Sequence, residues 1–423
     1  MTVTRTLAAG TGATVVVDCC QICDSPDLHP TLFLGYLPPV NQMRMIGESP
    51  REQPAFPAQW LYCPRCQLVQ LGLVVDPNIL FAPDYPYTSG TTRILRDNFS
   101  ELYQECKTMI GLGPDDLIVD IGSNDGTLLL SFRDGGHRVQ GIEPTLAANL
   151  GNEQGIPTMI AFFGGEAAEK VQTKHGPAKV VTAANVFAHM ENIHEIVASI
   201  ILMLDDQGVF VSESHYLMSL IETLQYDTIY HEHLRYYSLH SLQYLLSAHG
   251  LEVFHAKRIP THGGSIRVYA ARVGDYAVRS SVTAILNQEK ASGLSAEKLE
   301  EFKQRVVVSK LQLYGLLLDI KKRGGRIYGI GAPSRASTLI NYVGLDDGIL
   351  ECVLEVKGSR KIGKYMPGTL IPVVQESPLF QDQPEYALLL SWHIADELIP
   401  KLAQKGYRGK FIVPLPMPKI IEA

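Results

Sequence analysis

The longest regular signal in the chain is SAEKLEEFKQRVVVSKLQLYGLLLDIKKRGG, residues 295–325, where apolar positions recur at three- and four-residue spacing. Lysine and arginine collect in its last turn and two glycines follow, so the stretch predicts one long helix. Upstream, from about residue 115 to 255, short apolar runs alternate with amphipathic stretches, the pattern of a parallel α/β sheet. A second α/β unit begins directly after the helix with RIYGIGAPSRASTLINY and runs to the end. At the other end, residues 1–18 read as a loose tail, followed by a compact, proline-rich, strand-poor region to about residue 85. These shifts divide the chain into 1–85, 86–294 and 295–423. No repeat at solenoid periods and no low-complexity tract interrupts them.

A length of 423 residues agrees with two or three domains. Composition is that of a globular protein, 46% hydrophobic and 19% charged, with mean hydropathy near zero. A net charge of -7 argues against a nucleic-acid surface, which needs a basic excess. No apolar run approaches the roughly 20 residues of a membrane span. The opening MTVTRTLAAGTGATVVVD is broken by Gly and Thr and does not read as a signal peptide. A cytoplasmic monomer is the expectation.

Four of the seven cysteines form two CxxC knuckles, CQIC (Cys20, Cys23) and CPRC (Cys63, Cys66). Each knuckle aims two thiolates at one point, and two knuckles complete a tetrahedral site suited to structural zinc, with no position left for water. The gap between them is longer than in a compact zinc ribbon, so the intervening loop should serve another purpose. Cys106 and Cys352 read as core residues.

The stretch LIVDIGSNDGTLLLSF…HRVQGIEP changes the picture most. An apolar strand, 117–121, ends at Gly122 and is followed by Ser123, Asn124, Asp125 and a leucine-rich helix. Glycine lets the backbone approach a ligand, and a helix N-terminus offers free amides beside it. About twenty residues on, a second strand ends in Glu143, placed for two ribose hydroxyls. That acid alone does not separate NAD from S-adenosylmethionine (SAM). The turn reads Asp-x-Gly-x-x-x-Gly rather than GxGxxG, and two carboxylates, Asp120 and Asp125, would repel a pyrophosphate. It resembles motif I of class I SAM-dependent methyltransferases. AFFGGEAA, with Phe163, sits where such enzymes place a loop around the adenine. Asn185 falls just past the fourth strand, and His189 lies one helical turn further, so both could face one cavity.

Residues 226–240, YDTIYHEHLRYYSLH, could form a metal site, an aromatic core segment or an acid/base apparatus. A zinc reading is poor, because HEH lacks the HExxH spacing. Taken in order, YCPRCQLVQL, VDIGSNDGTLL, GIEP, NVFAHMEN, YDTIYHEHLRYYS, THGGSIRVY and MPGTLIP resemble the nucleotide-sugar C-3′-methyltransferases of deoxysugar biosynthesis over nearly the whole chain. The resemblance implies an α/β protein with an N-terminal zinc-binding domain, a central Rossmann-like SAM-binding domain and a C-terminal Rossmann-like domain. The nucleotide-diphosphate sugar, a dTDP- or GDP-linked 4-keto-6-deoxyhexose, would lie between the outer domains and the central one. One departure falls in the last domain, where GIGAPSRAST and LEVKGSRKIGKYMPG replace the family's usual turn and DDNP stretch. GIGAPS also lacks the third glycine of a dinucleotide turn, and no acidic ribose partner stands out for it.

Methylating carbon requires a carbanion equivalent, which a 4-keto group makes accessible at C-3. By resemblance, His233 is the base, Glu232 orients an imidazole or contacts the sugar, Tyr230 donates to substrate or enolate, and His189 is a second sugar-side group. His231 reads as structural, and Tyr236 and Tyr237 as packing. Tyr87 is chosen over Tyr85 as the tyrosine reaching the site from DYPYTSG. THGGSIRVY, with His262, Gly263, Gly264, Ser265 and Arg267, is assigned to the sugar pocket, and Arg335 and Lys361 to the diphosphate. Competing readings are a SAM-dependent O- or N-methyltransferase, an NAD-linked nucleotide-sugar oxidoreductase and a non-catalytic zinc scaffold.

Overall fold

A computed structural model describes residues 13–49, 52–81, 85 and 88–422. The predicted first strand of the α/β unit, Leu117–Ile121, is buried at every position, because helices cover both faces of its sheet. It sits inside a seven-stranded sheet whose order is Leu251–Ile259, Ser265–Arg272, Leu204–His215, Ala178–Ala184, Leu117–Ile121, Arg138–Glu143 and Thr158–Ile160. The last five run parallel and only Ser265–Arg272 runs against its neighbours, so the carboxyl ends at Ile121, Glu143 and Ala184 share one edge.

The second α/β unit forms a six-stranded sheet in the order Val373–Gln375, Cys352–Glu355, Ile327–Ile330, Tyr386–Leu389, Lys410–Val413 and Lys419–Ile421, parallel except for the last strand. The predicted long helix spans Ala296–Lys322, with Ser295 capping the amide of Lys298. Leu299, Phe302, Val306, Leu313, Leu317 and Ile320 form its buried stripe. Trp60 of the N-terminal region stacks on Phe302 at 5.6 Å, so the helix joins the first region to the last in one core.

The N-terminal region is richer in strands than its prolines suggest. His29–Leu37, Phe56–Tyr62 and Val69–Leu71 form an antiparallel sheet, and Arg235–Tyr236 from the middle of the chain pairs with Val69 and Gln70 as its edge strand. Pro30 and Pro57 are tolerated because each is the second residue of its strand, and register shifts interrupt the ladder nearby. The expected tail is also partly ordered, since Thr14–Val16 pairs with Leu73–Val75. Residues 1–12 lie outside the described ones. Among the described residues no helix is long and apolar enough to cross a membrane.

Candidate active site

A cavity of about 860 Å³ opens between the carboxyl edge of the central sheet, the turn carrying Tyr230–His233, and the same edge of the C-terminal sheet. Its walls therefore come from residues far apart in the chain.

On the central side Gly122, Asn124, Glu143, Phe163 and Asn185 reach the cavity. Glu143 closes the second strand, and its carboxylate accepts from Asn124 N at 3.0 Å and Thr145 N at 2.9 Å. Asn185 has φ 58°, and its Oδ1 is buried without a partner, an acceptor open to an ammonium or hydroxyl donor. The exposed backbone turn, the strand-end carboxylate and this orphaned acceptor fit the methyl donor's ribose and amino acid portions. Gly122 has φ 69°, and a Cβ there would meet Val186 Cγ2 at 2.7 Å. Gly122→Ala is therefore expected to weaken S-adenosylhomocysteine (SAH) binding about tenfold or more, as read by calorimetry. Wild-type affinity in that variant would separate the turn from the donor site.

Three residues predicted for this ligand lie behind the wall. Asp120 is buried and accepts from the Thr182 hydroxyl at 2.6 Å; burial pushes its carboxyl up to about 7. Asp125 accepts from Gly90 N at 2.8 Å and from the Thr127 hydroxyl at 2.6 Å, fixing the turn and the helix start. Ser123 packs against Gly141. They shape the turn and do not line the cavity.

At the centre stands His233. Its Nδ1 lies 2.7 Å from Thr228 O, and since a carbonyl only accepts, Nδ1 carries the proton and Nε2 is left bare. The Tyr230 ring is 4.1 Å away, that of His215 4.8 Å and that of His189 5.0 Å. Burial, with repulsion from His262 and Arg335, pushes His233 down to about 4. His189 and His215 are held well below the usual imidazole range, by burial first and then by a charged His233. The group is therefore neutral near pH 7. Tyr230 is kept as O–H, because burial raises its phenol well above the ordinary value.

Glu232 points to the opposite side. It accepts from Asn41 Nδ2 at 2.9 Å and from the Tyr85 hydroxyl at 2.8 Å, and burial pushes it up to about 7. Asn41 also donates to Ser334 Oγ at 3.0 Å. The long loop between the cysteine knuckles thus supplies an amide that joins the zinc region, the turn carrying Glu232 and the start of the Ser334–Val343 helix of the C-terminal unit. Tyr85 reaches the site; Tyr87, the residue chosen from sequence, lies outside the described residues. His231 turns away, its ring against Phe56 and Nε2 3.3 Å from Pro57 O.

The predicted sugar pocket is only partly assembled. His262 lines the cavity, and its Nε2 is buried without a partner. Gly263 and Gly264 instead pack against Gln225 and Ser219, and Ser265 donates to Thr261 O at 3.0 Å. Arg267 is a correction. It is wholly buried away from the cavity, with Nε 2.6 Å from Glu213 and Nη2 2.8 Å from Asn98, which uses its charge internally.

Arg335 lines the cavity, yet Asp227 grips it at 2.7 and 2.8 Å, and Trp392 stacks on it while donating to the same carboxylate. Its charge is matched before any phosphate arrives. Lys361 is buried, donates to Ala332 O at 2.7 Å and also lines the cavity. Burial lowers its pKa.

Sequence reasoning missed His215, His393, Asn41 and Glu355. His215 and Glu355 had a signal, since each ends a strand at the ligand edge of its sheet. Glu355 places a carboxylate against the turn at 329–338, where it accepts from Ala332 N at 2.8 Å. Asn41 had none, being a single loop residue.

The four knuckle sulfurs lie within 4.8 Å of one another, with Cys20–Cys66 at 3.4 Å and Cys23–Cys63 at 3.5 Å. A tetrahedral zinc with Zn–S of about 2.3 Å places its sulfurs about 3.8 Å apart, so the donor set fits. His194 Nε2 donates to Ile22 O at 2.9 Å, tying the first knuckle to the central domain.

Family models match in the same order: "Putative zinc binding domain" over residues 20–81, "Methyltransferase domain" over 91–256 and "C-methyltransferase C-terminal domain" over 260–416. C-methyltransferase NovU of Streptomyces niveus is 33% identical over 413 residues, spanning 96% of this chain and 97% of that protein. Among solved structures, magnesium protoporphyrin IX methyltransferase from Synechocystis PCC 6803 is 12% identical over 42% of this chain and 79% of its own, with a TM-score of 0.32. Geranyl diphosphate C-methyltransferase from Streptomyces coelicolor A3(2) is 14% identical over 42% and 80%, also with a TM-score of 0.32. With the zinc knuckles, the donor turn and the full-length likeness in hand, the chain belongs to the SAM-dependent C-methyltransferases that carry an N-terminal zinc-binding domain.

Proposed function

We propose that the enzyme methylates C-3′ of a nucleotide-diphosphate-linked 4-keto-6-deoxyhexose through an enolate generated by His233. The observation that carries this reading is the bare Nε2 of a neutral, buried imidazole beside Tyr230. A 4-keto group acidifies the adjacent C-3 hydrogen. Nε2 accepts that proton, and the C–H electron pair moves toward C-4 to leave negative charge on the keto oxygen. Bound SAM supplies the electrophilic methyl group that a carbon nucleophile needs. Tyr230, held as O–H, donates to the enolate oxygen. The imidazolium formed at His233 offsets the enolate charge, so the penalty that keeps the ring neutral beforehand is reduced once substrate is deprotonated. Glu232, fixed by Asn41 and Tyr85, orients the sugar.

The test is deuterium wash-in. With SAH bound, the wild-type enzyme should exchange the C-3 proton of a nucleotide 4-keto-6-deoxyhexose with solvent, as followed by NMR. Methyl transfer to such a sugar's oxygen or nitrogen with no exchange at C-3 would overturn the reading. The pH profile should follow the buried groups. An ordinary imidazole with a pKa near 6.5 would lose activity from neutrality downward. With His233 at about 4, the base stays competent to about pH 5 and fails only toward pH 4. A separate step near pH 7 is expected from Glu232, and Glu232→Gln should remove that step while leaving the acid limb in place.

A further inference from the structure

The carbonyl that sets the tautomer of His233 is itself held from the C-terminal unit. Thr228 O lies 2.7 Å from His233 Nδ1, and Thr228 ends the short turn Tyr226–Thr228. Both residues beside it are gripped by one face of the helix Ser334–Val343. Arg335 donates to the two oxygens of Asp227 at 2.7 and 2.8 Å, and one helical turn on, the Thr338 hydroxyl donates to Ile229 O at 3.3 Å. Trp392 completes the grip. Its indole N–H donates to Asp227 Oδ2 at 2.7 Å, and its ring centre lies 4.8 Å from the guanidinium. Arg335 Nη2 also reaches Gln225 Oε1 at 3.1 Å, and Gln225 O accepts from the Thr228 hydroxyl at 2.8 Å. Asp227, Thr338 and Trp392 are buried and do not line the cavity, so none of them is placed to touch a substrate.

We infer that Arg335 is a positioning residue for the base: with Asp227 and Trp392 it locks the Thr228 carbonyl in place, so that the C-terminal unit decides which His233 nitrogen is free to take the C-3 proton. This rests on His233 being the base and adds what keeps that base in its working form. The Asp227 carboxylate meets three donors, two from Arg335 and one from Trp392, with no exposure to water. Such a site holds one geometry, because a departure leaves a buried charge unpaired. The planar fork and the stacking of a guanidinium are what a lysine in its place would lack. With the grip loosened, Thr228 O is free to withdraw and Nδ1 loses the acceptor that fixes its proton. The ring can then carry the proton on Nε2, where it cannot act as a base toward C-3. The same contacts serve a diphosphate poorly. Asp227 already takes Nε and Nη2, and Nη1 points to His262 O at 3.3 Å.

Steady-state kinetics of the full-length, zinc-loaded enzyme test this, with SAM and a dTDP- or GDP-linked 4-keto-6-deoxyhexose. Asp227→Asn and Arg335→Lys should each lower kcat and C-3 exchange about tenfold or more, with KM for the sugar nucleotide and SAH affinity unchanged. The double variant should lose no more than the worse single one, because each breaks the same grip. A diphosphate ligand behaves otherwise: Arg335→Lys would raise KM while kcat holds, and Asp227→Asn, by freeing the guanidinium, would tighten nucleotide binding. Either of those results, or wild-type turnover in Asp227→Asn, overturns the inference. If His233→Asn abolishes transfer while Asp227→Asn turns over normally, only the positioning role falls. If His233→Asn turns over normally, or the wild type exchanges C-3 of neither sugar, the base reading falls and this inference with it. Should Asp227→Asn fail to fold, Trp392→Phe keeps the ring and removes the donor. Its kcat should drop severalfold at constant KM, and an unchanged kcat would overturn the inference.

Discussion

His233→Asn is expected to lower methyl transfer by about 10²–10⁴-fold while SAH binds as in the wild type. Asparagine can keep a polar contact to Thr228 O, which His233 now holds at 2.7 Å, but it has no nitrogen basic enough to accept a carbon-bound proton. The neighbouring rings of His189 and His215 are neutral for the same reason as His233 and stand 5.0 and 4.8 Å from it. Among the described residues no hydrogen bond fixes the tautomer of either ring as Thr228 O fixes that of His233, so rescue should be weak. Exchange at C-3 should disappear with transfer. Loss of transfer with exchange intact would move the base elsewhere, and normal turnover would remove His233 from the chemistry altogether.

Removing the metal should have the second large effect. Structural zinc contributes on the order of 10 kcal/mol to small zinc modules. Here the ligands bracket two strands of the sheet, one of which holds Trp60, itself stacked on the long helix. A strong chelator, or Cys63→Ser, should unfold the N-terminal region and also reduce activity, because Arg235–Tyr236, two residues past His233, is that sheet's edge strand. Circular dichroism against zinc content measures the first effect and exchange at C-3 the second. A fully folded, metal-free enzyme would contradict both.

Much of this was legible because it is local. The stripe of the long helix, the strand ending at Ile121 and the two cysteine knuckles are patterns within short windows. What failed depended on distant partners. Arg267 looked available for a substrate anion until Glu213 and Asn98, far along the chain, were placed against it. Arg335 looked free until Asp227 met it. Asp120 and Asp125 belong to the donor motif in sequence, yet act by holding Thr182 and Thr127. The strand-poor reading of the first region failed because proline content was weighed without position, and a proline near a strand start costs little. Asn41 shows the limit most plainly: its importance comes from Glu232 and Ser334, neither near it in sequence.

The edge strand Arg235–Tyr236 also bears on how such an enzyme can be re-engineered. A chimera that exchanges only the first eighty or so residues with a relative would leave the native edge strand facing a foreign ladder at Val69 and Gln70. The cut that preserves function is discontinuous: the zinc module travels with the segment around residues 226–237, or it does not travel at all.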